Sequence, residues 1–218
     1  MGQDYIFTKE QKIILDEIGK SIFLKSNFYF TEGTALSSVY LNHRVSDDLD
    51  IFSEKKFNNQ AILQLMEEWG LKHKFTFNSR FREVVYIFDL IFDDKTELKV
   101  DFGYYPYKRV EKSLVWNGIE VDSLIDIAIN KLQTIIQRTT IKDFVDLYYL
   151  LEKFTIWDLI AGVKAKFGQK LEPFILASDF LKVEEFEYLP KMIKPLTIEQ
   201  LKDYFRKKAV EIGKKGVE

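Results

Sequence analysis

The chain has 218 residues, with 46% hydrophobic residues, a formal net charge of −2 and no cysteine. That much apolar content excludes a disordered chain, and the missing cysteine excludes disulfide scaffolds, cysteine nucleophiles and thiolate zinc sites. A near-neutral balance with a pI of about 5.9 excludes a wholly basic nucleic-acid binder, so any nucleic acid must meet a local basic patch.

The start, MGQDYIFTKEQK, has no apolar leader core, and no apolar run reaches the roughly 20 residues of a membrane span. Membrane partners are not expected, and the absence of cysteine fits a cytoplasmic protein. His43 and His73 are too few to build a histidine metal centre, so a bound metal would need oxygen ligands, which points to Mg²⁺ or Mn²⁺. Aromatics reach 15%, and at helix and strand spacing they read first as core filler.

Residues 9–24 carry helical periodicity, and 27–31 read as a short buried strand. After Gly33, TALSSVYL reads as a helix to about Leu41, and 48–52 as a strand. Asn58 or Asn59 caps a helix expected to end near Gly70. KHKFTF, REVVYIFDLIF and TELKVDFGYY read as three strands, the last two joined at Asp93-Asp94-Lys95. From residue 122 the pattern turns helical, with capping-box spacing at Ser123/Asp126, Thr140/Asp143 and Thr197/Gln200. The expectation is an α+β fold, a mixed sheet flanked by helices over 1–121 followed by a helical domain over 122–218.

Side chains at i and i+2 of a strand share a face, so Asp48 and Asp50 project together, with Cβ atoms roughly 6–7 Å apart. In ELKVDF, Leu98, Val100 and Phe102 take one face and Asp101 the other, with Glu97 and Lys99. Asp48, Asp50 and Asp101 are therefore candidate metal ligands and catalytic carboxylates. Asp47 points the opposite way and receives no role. Strand, Gly33-Thr34 turn and helix together suit a phosphate, with Thr34 adding a hydroxyl or capping the helix. Ser46 is a candidate to orient the carboxylate loop, and Arg44 either to bind triphosphate or to pair with an acid at the sheet edge. His43 reads as structural.

On the helix after Ser123, Lys131 falls on the apolar face, where it must snorkel, pair with an acid or meet a ligand, and Arg138 projects near it. Asp143 has a capping role open to it, whereas Asp146 does not. Both sit away from the stripe of Phe144, Val145, Tyr148 and Leu151.

TEGTAL followed by LNHRVSDDLDIF, with the third Asp on a later strand, resembles the polymerase-β-like nucleotidyltransferase pattern, and more specifically the AbiEii-type toxin family. NKLQTIIQRTTIKDFVDLYYL resembles that family's downstream Lys…Arg…Asp-x-x-Asp-Leu segment. Glu32 stands where the family carries the first glycine of Gly-Gly-Thr. The resemblance, which includes the mycobacterial MenT toxins, implies nucleotide transfer from an NTP to an acceptor, with the tRNA 3′ end as the RNA acceptor to expect, and a cognate antitoxin. It assigns Asp48, Asp50, Asp101, Lys131 and Asp146 to catalysis. Gly33, Thr34, Arg44, Ser46, Lys131 and Arg138 go to the nucleotide. A small-molecule acceptor and a non-catalytic, partner-binding domain are the alternatives.

Overall fold

The computed structural model describes residues 7–215; the stretch MGQDYI, read above for a leader core, lies outside them. The described chain divides into two compact units. The first runs to Tyr40 and takes in Ser46–Lys108 and Lys112–Ser123; the second comprises Leu41–Val45, Arg109–Glu111 and the residues from Leu124 on.

The first unit is a mixed seven-stranded sheet with helices. Its elements are α1 (Lys9–Lys20), α2 (Ile22–Asn27), β1 (Tyr29–Thr31), α3 (Glu32–Ala35), β2 (Leu49–Ser53), α4 (Asn59–His73), β3 (Phe75–Arg82), β4 (Val85–Phe92), β5 (Glu97–Tyr104), β6 (Leu114–Trp116) and β7 (Ile119–Val121). The strand order is β3-β4-β5-β2-β1-β7-β6. β2 pairs with β5 in parallel and with β1 in antiparallel. One face of the central strands is apolar and buried, through Leu49, Ile51, Phe88, Leu90, Val100 and Phe102. Burying each such side chain contributes about 1.5–3 kcal/mol, which pins the register and leaves the alternate residues on the opposite face.

The structure departs from the sequence reading at three places. The helix after β1 continues to Leu41, but Leu36–Leu41 is wound as a π-helical segment. Gly70 lies inside α4, which runs on to His73 and ends on Lys74 in the left-handed conformation. Gly70 is needed for close approach: a Cβ there would come within 2.9 Å of the Phe75 carbonyl oxygen. The β6–β7 hairpin was not expected, although Asn117-Gly118, both at positive φ, is the strongest short hairpin signal in the chain.

The second unit is helical: α5 (Leu124–Gln137), α6 (Ile141–Leu150), α7 (Ile156–Phe167), α8 (Pro173–Leu181), a 3₁₀ turn at Lys182–Glu185 and α9 (Ile198–Lys215). Its core includes Ile127, Leu132, Phe144, Leu147, Leu159, Phe180 and Phe205. The Thr197/Gln200 capping box is formed reciprocally. The Asp126 carboxylate accepts instead from the Val110 and Glu111 amides and from Lys166. Among the described residues no helix is long and apolar enough to cross a membrane.

Candidate active site

The loop entering β2 is held from two sides. The Gln11 side-chain amide donates to the Ser46 and Asp47 carbonyls at 3.0 and 2.9 Å, while its Oε1 accepts from the Thr8 amide. The Thr34 hydroxyl is buried, bonded to the Ser46 hydroxyl at 2.9 Å and donating to the Asp48 carbonyl. Thr34 therefore fixes the carboxylate loop and does not cap the helix, whose N-cap is Thr31. Asp47 contributes its carbonyl. Nothing in the sequence pointed to the long-range bonds of Gln11.

Asp48 sits just before β2, half exposed, and Asp50 is paired with Asp101 in the β2–β5 register. Direct partners on adjacent strands share a face, so Asp50 and Asp101 stand together, beyond the reach of the apolar core. Lys99, two residues before Asp101 on the same face, places its ammonium 2.6 Å from Asp101 and 3.8 Å from Asp48. Burial pushes the Asp101 carboxyl above its ordinary value, and the Asp48 charge adds to this against the pull of Lys99. Burial would lower the Lys99 ammonium, but Asp101, Asp48 and Asp50 outweigh it and raise it.

Among the described residues no three carboxylate or histidine side chains are already closed into a metal cluster. The chemistry of the donor set nevertheless fits a hard divalent cation. Three carboxylates lie at one end of one sheet face, and the buried Asp101 Oδ1 has no hydrogen-bond partner. The Lys99 ammonium occupies the position where positive charge is called for.

Gly33 and Thr34 lie in the short α3, and Glu32 at its start has a φ of 60°. This left-handed backbone is the physical reason a glycine is favoured at this position.

In the helical unit, Asp146 of α6 is fully buried at the centre of a charge cluster. Arg44 closes on it in bidentate fashion, Nε to Oδ1 at 2.7 Å and Nη2 to Oδ2 at 2.8 Å. His43 Nε2 donates to Oδ1 at 2.8 Å, and Lys131 lies 3.1 Å from Oδ2. Lys131 also donates to Asp143 at 2.9 Å, and Asp143 takes Arg138 at 3.2 Å and the Thr140 hydroxyl. Lys131 thus resolves its place on the apolar face by pairing with two acids. Arg44 is drawn to a buried acid of the helical unit and not to one at the sheet edge. Asp143 and Asp146 are as buried as the apolar stripe beside them.

Burial alone would raise both acids; for Asp146, Lys131 and Arg44 together with the His43 and Arg44 hydrogen bonds hold it far below the carboxylate range. Asp143 is lowered by Lys131, Thr140 and Arg138. Burial lowers His43 against the opposing pull of Asp146. Its Nδ1 is buried without a partner, as suits a neutral ring carrying its proton on Nε2.

The fold is shared with solved structures. JHP933 from Helicobacter pylori matches 97% of this chain and 95% of its own at a TM-score of 0.61 with 21% identity. MenT4, a nucleotidyltransferase toxin from Mycobacterium tuberculosis H37Rv, matches 92% of this chain and 82% of its own at 0.56 with 14% identity. At these identities the likeness concerns the fold. An uncharacterized protein of Aquifex aeolicus (strain VF5) is 30% identical over 210 residues, 93% of this chain and 96% of that protein. Residues 14–211 match the family model described as nucleotidyl transferase AbiEii toxin, type IV toxin–antitoxin system. The chain belongs to the AbiEii nucleotidyltransferase toxin family.

Proposed function

We propose that the protein transfers a nucleotide from an NTP to an RNA acceptor, with the tRNA 3′ end as the preferred target, in the cytoplasm and under the control of a cognate antitoxin. The observation that carries this reading is the placement of Asp50 beside Asp101 on one sheet face, with Asp48 two residues before Asp50. A Mg²⁺ or Mn²⁺ ion held by these three carboxylates would neutralise triphosphate charge and lower the pKa of an acceptor hydroxyl. Asp101, on the same face as Asp50, is proposed to take that hydroxyl's proton. Thr34, Ser46 and Gln11 hold the Asp48 loop in place, so that little reorganisation is needed when the triphosphate arrives. Gly33, in the short α3, is proposed to lie against the triphosphate. In the helical unit Arg138, 62% exposed, retains access to solvent and is proposed as an anion-binding residue of that unit. Lys131, Arg44 and Asp146 are proposed to support it through the buried cluster.

Expression of the wild-type chain should arrest growth of a bacterial host, with tRNAs that have gained 3′ nucleotides. Asp48→Asn should relieve the arrest at equal protein level. Equal arrest by both would show that toxicity does not come from the carboxylate site. Transfer to a small molecule but to no RNA would move the reading to a small-molecule acceptor.

A further inference from the structure

The face of β2 that carries Asp50 carries one more side chain, and it is aromatic. Phe52 follows Asp50 by two residues, roughly 6–7 Å along the strand, with the same outward direction. Its register partner on β5 is Gly103, just as Asp101 is the partner of Asp50. The absence of a side chain at Gly103 is what lets the ring lie down on the sheet: a Cβ there would stand 2.8 Å from two of the Phe52 ring carbons. After β5 ends at Tyr104 the chain continues as Tyr105-Pro106-Tyr107. The Tyr105 ring lies 5.5 Å from that of Phe52, inclined by 38°, and the Tyr107 ring lies 5.0 Å from that of Tyr105. The Tyr105 amide donates to the Ser53 carbonyl at 2.8 Å, which fixes where this wall begins. Phe52 and Tyr105 are half-buried and Tyr107 is 39% exposed, so these rings are not core filler like Phe88 and Phe102, which are fully buried.

We infer that Phe52, lying over Gly103 and walled by Tyr105 and Tyr107, is the stacking platform for the base of the NTP. The inference rests on the carboxylate site being the place where the NTP's phosphates react. Within a nucleotide one ribose separates the α-phosphate from the base, and one strand step of two residues separates Asp50 from Phe52. The platform offers an aromatic ring face, and stacking is tolerant of base identity but favours the larger purines, whose stacking area is greater.

The test is equilibrium binding of ATP, GTP, CTP, UTP and inorganic tripolyphosphate to the full chain, with Mg²⁺ and without acceptor. Phe52→Leu keeps an apolar side chain, Gly103→Ala lifts the ring, and Phe52→Trp keeps a platform. Each variant is checked by its melting temperature. Phe52→Leu and Gly103→Ala should weaken NTP binding roughly tenfold, purines more than pyrimidines, leaving tripolyphosphate within about twofold of wild type. Phe52→Trp should bind NTPs at least as well as wild type. NTP binding unchanged in Phe52→Leu would overturn the platform, as would equal loss of NTP and tripolyphosphate. Wild-type protein that binds neither NTP nor tripolyphosphate would defeat the underlying reading, a result distinct from either of those.

Discussion

Asp50 and Asp101 are direct register partners on two parallel strands, β2 and β5, so their side chains stand side by side on one face of the sheet. Two carboxylates in that position repel each other and Asp48, and the Lys99 ammonium between Asp101 and Asp48 offsets part of the repulsion.

The same arrangement sets the response to metal. Asp50→Asn and Asp101→Asn should each abolish Mn²⁺ binding followed by electron paramagnetic resonance. Lys99→Met should tighten it, because the ammonium and the ion compete for the same oxygens. Weaker Mn²⁺ binding by Lys99→Met would mean that Lys99 organises the site and does not compete for it.

The buried cluster of the helical unit should be costly to break. Lys131→Met keeps the volume but leaves Asp143 and Asp146 short of a buried cation. Removing one partner from a buried ionic group costs about 3–5 kcal/mol. Arg138→Gln, at a largely exposed position, should cost under about 1 kcal/mol. Urea unfolding compares the two. Similar small losses for both would show that the cluster contributes little to stability.

His43 gives the fold a pH dependence. Its pKa lies below the ordinary 6.5, because burial, Arg44 and Lys194 outweigh Asp146. As pH falls below about 6.5 the unfolded chain therefore takes up a proton that the folded chain resists. The His43 contribution is complete above that value and is lost as pH falls towards the depressed pKa. His43→Gln, which keeps a donor for Asp146 and cannot titrate, should flatten the fall in unfolding free energy between pH 6.5 and pH 5. An identical slope in both proteins would place the dependence elsewhere.

Glu32 holds a left-handed backbone that costs a non-glycine residue about 1 kcal/mol or more. Glu32→Gly should raise the unfolding free energy by about 1 kcal/mol in urea titrations, less whatever glycine loses in chain entropy. A loss of stability would mean that the Glu32 side chain holds the turn more strongly than its backbone strains it.

The carboxylate face could be read from alternation alone, since Leu98, Val100 and Phe102 on one side fix Asp101 on the other. Lys131 was legible as a cation on an apolar helix face, but its partners were less so. The acid that meets His43 and Arg44 lies 103 and 102 residues away, a distance that no local period encodes. The long-range bonds of Gln11 escape for the same reason. α4 ran past Gly70 because tertiary contact with Phe75, and not a helix stop, required that glycine. β6 and β7 are three residues each, too short for alternation to register, and only the Asn117-Gly118 turn announces them.

The central claim is transfer of the nucleotidyl group itself. Purified protein, Mg²⁺ and total RNA incubated with NTPs labelled at the α- or the γ-phosphate distinguish it directly. The α-label should pass to RNA, the γ-label should leave with pyrophosphate, and Asp50→Asn should do neither. Transfer of γ-label to any acceptor, or undiminished α-labelling by Asp50→Asn, would contradict it.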